Sequence, residues 1–171
     1  MIETAEFAGH FAHEKGGEEK MYDKVLVPLD GSPLAECALT HVQMMAKERF
    51  VKEVILLNVV RIDAPYSELY GKHFDLEALR KAYFDEASKY LAKVEARFST
   101  EGIRVKTEVI EHNRTALAIT DYALKNGIDL IVIATHGYTG LKKLMLGSVA
   151  LSVLHESHTP VLLIRPEACR L

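Results

Sequence analysis

Apolar positions along this chain switch between two spacings, and each switch marks an element. Val25-Leu26-Val27 with Leu29 is a nearly unbroken apolar run, which suits a strand covered on both faces of a parallel sheet. Pro28 has no N–H and stops ladder donation near the end of that strand. A second run, Val54-Ile55-Leu56-Leu57-Asn58-Val59-Val60, predicts a strand over residues 52–60, with Asn58 needing a hydrogen-bond partner. Residues 103–110 alternate instead, placing Ile103, Val105, Thr107 and Val109 on one side. That predicts a strand with a wetter face, at a sheet edge. Two more apolar runs, residues 128–134 and 161–165, complete the strands; Thr159-Pro160 sets the entry to the last.

Helical spacing fills the intervals. Ser32 and Pro33 suit the cap and first position of a helix reaching about Arg49, with Leu34, Cys37, Ala38, His41, Val42 and Met45 on one face. Residues 76–98 carry a stripe of Leu76, Leu79, Tyr83, Phe84, Ala87, Tyr90, Leu91, Val94 and Phe98, a face for packing on a sheet. Glu101-Gly102 suits its end. A third helix, with Asn113 as its cap, runs through Ala116, Ile119, Tyr122, Ala123 and Leu124 to Asn126-Gly127. A fourth starts at Ser148, which can cap it and donate a hydroxyl, and reaches about Glu156. Residues 61–75 break the pattern and read as a long loop, a common place for lids or contact surfaces. Residues 1–20, with Gly9, Gly16 and Gly17 among charged side chains, read as a flexible tail ahead of one domain over 21–171; His10 and His13 in it read as solvated rather than metal-binding.

The alternation of strand and helix predicts an α/β fold: a single Rossmann-like open parallel five-stranded sheet with helices on both faces. Such sheets take ligands at the carboxyl ends of their strands, where strand order reverses. The most pointed stretch there runs from Thr135 to Ser148. A strand, a glycine-bearing loop and a helix start in succession put backbone N–H groups around an anion. A tight connection without a ligand would look similar.

Composition narrows the classes. A chain of 171 residues with formal net charge −3 has one domain's length and no basic excess of the kind a nucleic-acid partner demands. No apolar run approaches a membrane span, and the acidic N-terminus lacks the pattern of a secretory signal. Cys37 and Cys169 match no metal or redox spacing, and Cys37 reads as a small buried residue. The expectation is a soluble cytoplasmic protein without a nucleic-acid or membrane partner.

Three motifs together carry a resemblance. Val25 to Ser32 opens the chain, Ala134-x-x-Gly137, nine residues and Gly147-Ser148 form the loop, and Thr159-Pro160 with Val161-Leu162-Leu163-Ile164 closes it. The set resembles the universal stress protein family, in its ATP-binding branch, with Ala134 where the signature has its first glycine. The resemblance implies strand order 3-2-1-4-5 and a crevice between the first and fourth strands. It implies that Pro28 and Asp30, with Gly31 and Ser32, border the adenosine and that Val59 and Ile133 line the base. Ala134 would approach the ribose and phosphates. Gly137, Gly147, Ser148 and Val149 would cradle the phosphates, with His136 beside them. It further implies ATP with magnesium or manganese, and a homodimer through Val161, Leu162, Leu163 and Ile164.

No catalytic motif accompanies that site: the G-x-x-x-x-G-K-[ST] loop, the G-x-S-x-G elbow and zinc spacing are all missing. The reading is therefore a nucleotide-dependent regulatory switch with slow or no hydrolysis. A non-binding dimeric interaction module, favoured by Ala134, and a weak ATP hydrolase or phosphotransferase remain as alternatives.

Overall fold

The computed structural model describes residues 22–62, 75–98, 103–135 and 147–165. Five strands, β1 (Tyr22–Pro28), β2 (Val51–Val60), β3 (Arg104–Glu111), β4 (Leu130–Ala134) and β5 (Val161–Ile164), alternate with four helices, α1 (Cys37–Lys47), α2 (Leu76–Phe98), α3 (Thr115–Lys125) and α4 (Ser148–Glu156). The strands form one parallel sheet in the order β3-β2-β1-β4-β5, as the resemblance implied. The N-terminal tail, most of the 61–75 loop, Glu101-Gly102, His136 and Gly137 lie outside the described residues.

Side chains leave each strand alternately to its two faces, so the central strands feed two cores. Val25, Val27, Val54, Leu56, Leu130 and Val132 face α1 and α2, meeting Ala38, Val42, Leu91 and Val94. Leu26, Ile55, Leu57, Ile131 and Ile133 face α3 and α4, meeting Ile119, Ala123, Ala150 and Val153. Both faces of β1 and β4 are covered, which is why their sequence is apolar without alternation. Asn58 donates from Nδ2 to the Leu29 carbonyl at 2.9 Å and so fastens the end of β1 to β2.

Four details depart from the sequence reading. α1 begins at Cys37, not beside Ser32, because the bonds leading into it skip only three residues: Cys37 N–H to Leu34 C=O, Ala38 to Ala35, Leu39 to Glu36. Ser32 still caps that tight turn, its Oγ accepting from Ala35 N–H at 3.1 Å. Asn113 does not cap α3; Arg114 holds the cap position, and its N–H is taken by His112 Nδ1 at 2.9 Å. Ser148 is the first residue of α4 and Gly147 the cap. The stripe on α2 is buried only in its second half, at Ala87, Leu91 and Val94, while Leu76 and Tyr83 are exposed. A 23-residue helix is about 34 Å long. The eight residues of β3 beside it span only about 26 Å, so the first turns of the helix overhang the sheet.

Candidate functional site

The crevice begins where a ladder stops. β1 pairs with β2 as far as Pro28↔Leu57, and β4 pairs with β5 as far as Ala134↔Ile164. Between β1 and β4, however, only Val25↔Leu130 and Leu26↔Ile131 are paired. Past that point the two central strands part, one toward β2 and the other toward β5. This is the reversal of strand order at which open α/β sheets hold ligands.

A cavity of about 230 Å³ fills the gap. Its floor is apolar: Leu57 and Val59 from β2, Ile119 from α3, Ile133 from β4 and Ala150 from α4. Its rim carries Pro28, Leu29, Asp30 and Ala35 on one side and Ala134, Thr135, Gly147, Ser148 and Val149 on the other, with Thr115 at the start of α3. Eight of the residues expected from sequence therefore meet around one space: Pro28, Asp30, Val59, Ile133, Ala134, Gly147, Ser148 and Val149. Gly31 and Ser32 do not line it. Gly31 turns the chain with φ of +85°, a conformation side chains resist, and the Ser32 hydroxyl is committed to Ala35. The sequence reading missed Leu29, Ala35, Leu57, Thr115, Ile119, Thr135 and Ala150. For two of them a signal existed: Thr115, Ile119 and Ala123 lie four apart on α3, so the stripe that packs on the sheet starts at the level of the strand ends.

The two turns at the mouth differ in chemistry. After β1, Asp30 Oδ1 accepts the Ser32 N–H at 3.0 Å, which fixes a carboxylate at the rim. Below it on the α2 side, burial, with the carboxylates of Glu36 and Asp30 close by, holds the Tyr90 hydroxyl well above the ordinary tyrosine range, so it stays protonated. After β4, the Gly147 N–H donates to the Thr135 carbonyl at 2.6 Å, which ties the start of α4 to the end of β4. A glycine cap has no side chain to accept from the first-turn N–H groups, so the start of α4 offers donors and the positive end of its dipole to the mouth.

Ala134 ends β4 in extended pairing with Ile164. An alanine adopts that backbone without strain, so the conformational freedom of the signature's glycine is not required there, and its methyl group lines the cavity. Among the described residues no three His, Cys, Asp or Glu side chains gather as a metal site, and no helix is long and apolar enough to cross a membrane.

The fold and the site define a doubly wound α/β domain with an open crevice at its switch point. Residues 21–165 match the family model described as the universal stress protein family, and the chain belongs to that family. It is 35% identical over 147 residues to universal stress protein MJ0531 of Methanocaldococcus jannaschii, covering 86% of this chain and 84% of that one. It is 32% identical over 158 residues to MJ0577 of the same organism, covering 85% and 96%. The solved structure of MJ0577 superposes with a TM-score of 0.70 over 85% of this chain and 96% of that one, at 31% identity. A universal stress protein from Archaeoglobus fulgidus, solved in complex with dAMP, matches at a TM-score of 0.56 and 21% identity over 84% of this chain and 98% of that one, a likeness of fold.

Proposed function

We propose that this protein binds ATP in the crevice between β1 and β4 and acts as a nucleotide-dependent regulatory switch, with hydrolysis slow or absent. The observation that carries the reading is the pairing of an apolar slot with a glycine-capped helix start at its mouth. A flat heterocycle suits the floor of Val59, Leu57 and Ile133. A carboxylate at Asp30 suits a donor, an exocyclic amine or a ribose hydroxyl. An anion suits the start of α4, where Ser148 and Val149 follow the glycine cap with first-turn N–H groups. At about 230 Å³ the cavity falls just under the usual ~300–1,000 Å³ of a small-molecule pocket, which suits a base and sugar inside with phosphates at the open mouth. His136 and Gly137, which the family resemblance adds to the phosphate side, lie outside the described residues.

The donor set bears on the metal. With one carboxylate at the rim and no acidic cluster among the described residues, magnesium or manganese would be held chiefly by the phosphates and water, as such ions commonly are, with Asp30 and the Ser148 hydroxyl as protein oxygens on the rim. Bound there, the ion would offset phosphate charge. The one carboxylate on the described rim, Asp30, is engaged by the Ser32 N–H and assigned here to the sugar and base, which supports a switch over a hydrolase.

β5 supports the dimer part of the reading. It is the outermost strand, four residues long, with Leu162 38% exposed. An uncovered apolar edge favours pairing with a second copy. Sedimentation at micromolar concentration would give a dimer, and a monomer there overturns this part. A cytoplasmic setting agrees with the family and with the proposed ligand.

The deciding experiment is calorimetric titration of ATP with magnesium into nucleotide-free protein. Stoichiometric binding near micromolar, about −8 kcal/mol, is expected. No heat from a folded, nucleotide-free sample would overturn the reading in favour of the interaction module.

A further inference from the structure

Four side chains on the cavity wall carry polar groups, and they are unevenly placed: Asp30 follows β1, Thr135 follows β4, Ser148 begins α4 and Thr115 begins α3. Thr135 and Ser148 stand on the β4 side, where the glycine-capped turn gathers its N–H groups. Thr115 stands apart from them on a different helix, α3, which packs against α4 as well as over the sheet. Its helix packs over β2, and the floor residues nearest β2 are Leu57 and Val59. Directly below Thr115, one helical turn on, Ile119 is 1% exposed and closes the cavity with an apolar wall. The β2 side is therefore a flat apolar slot with one hydroxyl at its edge.

That hydroxyl has no structural duty among the described residues. Thr120, in the same helix, donates its Oγ1 to the Leu117 carbonyl at 3.1 Å, the usual back-bond of a helical threonine. Thr115 is the first residue of α3, where no preceding helical turn offers such a carbonyl, and its side chain is half-buried against the cavity. A hydroxyl beside apolar surface that the protein itself does not use is suited to a ligand's polar edge.

We propose that Thr115 is a specificity-determining residue of the crevice, its hydroxyl meeting the polar edge of the heterocycle held over Leu57, Val59 and Ile119. This rests on the nucleotide reading above and adds which part of the ligand Thr115 touches. The phosphates belong to the α4 side, so the group on the α3 side meets the base. A carboxylate such as Asp30 only accepts, whereas a hydroxyl both donates and accepts. Thr115 therefore contributes to the choice among bases, and the α4 turn, which sees only phosphate, does not.

The test is calorimetric titration of ATP and of GTP, each with magnesium, into the wild-type protein, Thr115→Val and Thr115→Ser. Valine keeps the branched shape and removes only the hydroxyl, so the fold is kept, and circular dichroism checks it. Thr115→Val is expected to weaken ATP by about three- to tenfold, the worth of one hydrogen bond, and to change the ratio of ATP to GTP affinity. Thr115→Ser keeps both near wild type. If the wild-type protein binds ATP and Thr115→Val leaves the ratio unchanged, whether or not both affinities fall together, the assignment is overturned while nucleotide binding stands. If the wild-type protein binds neither nucleotide, the nucleotide reading itself has failed and the assignment falls with it.

Discussion

Two strands end side by side at the crevice, and their turns solve the same local problem in opposite ways. Each turn leads from a strand's carboxyl end toward a helix whose first N–H groups lack intrahelical partners. After β1 the chain's own side chains hold the turn, Asp30 accepting from Ser32 N–H and Ser32 Oγ from Ala35 N–H, and backbone carbonyls take the first N–H groups of α1. After β4 the cap is Gly147, with nothing beyond its backbone to offer. The first turn is thus electrostatically closed and presents an acceptor to the cavity. The second has no side-chain cap bond among the described residues and presents donors. A ligand with a donor at one end and an anion at the other is oriented by that difference alone, before any base-specific contact is made.

The largest effect expected of this contrast is at Gly147. Its backbone, φ −58° and ψ 145°, is open to any residue, so Gly147→Val keeps the helix start but puts a branched side chain over its N–H groups. ATP affinity falls by about a hundredfold or more, close to 3 kcal/mol, with little change in melting temperature. An unchanged affinity by calorimetry would mean the anion does not sit at α4.

A separation of binding from folding needs a variant that does the reverse. Glu53 on β2 is buried, its side chain 5% exposed, and Lys106 on the edge strand β3 holds it at 2.8 Å. The hydrogen bond from Lys106 keeps the Glu53 carboxyl below the usual carboxylate range despite its burial. A depressed folded-state pKa contributes stability that is present above the unfolded value and is lost as pH falls through the folded one. Lys106→Ala is therefore expected to cost about 1–2 kcal/mol at neutral pH, reduced from a fully buried pair because the lysine is mostly in water. The cost shrinks as acid protonates Glu53. Denaturant melts at pH 7 and pH 3 check this, and ATP affinity at pH 7 should stay within about twofold, since the pair is remote from the cavity.

The two serines give the smallest and sharpest comparison. Ser32→Ala removes the acceptor of Ala35 N–H and should cost about 1 kcal/mol of stability while changing ATP affinity little. Ser148→Ala removes no cap and should leave stability within about 0.5 kcal/mol, while ATP affinity falls a few-fold. The reverse pattern in paired melts and titrations would exchange the roles assigned to the two turns.

Much of the fold was legible because strand and helix signals here do not compete. The apolar runs of β1 and β4 mark buried central strands, the alternation of β3 marks an edge, and the span of α2 follows from its stripe alone. What failed was extent. The spacing of Leu76 and Tyr83 is correctly helical but cannot say that the sheet beneath is too short to cover them. The site was half legible for a related reason. Glycines and Asp30 belong to a local pattern, whereas Leu57, Thr115 and Ile119 join the cavity only because β2 and α3 arrive there from elsewhere in the chain. Caps were the other weak point. Ser32 and Ser148 look equivalent as residues, and only the hydrogen-bond partners tell them apart.

The bond from Gly147 N–H to the Thr135 carbonyl clasps the two ends of the segment formed by residues 136–146. The entropy of bringing those two ends together is met by the fold rather than by a ligand, and such a cost grows only as the logarithm of the number of residues between the ends. Residues can then be inserted or deleted between the clasped ends at small cost, while the donors of the α4 turn keep their place. The start of α4 is in this sense placed by its bond to the end of β4 and not by the length of chain between residues 135 and 147.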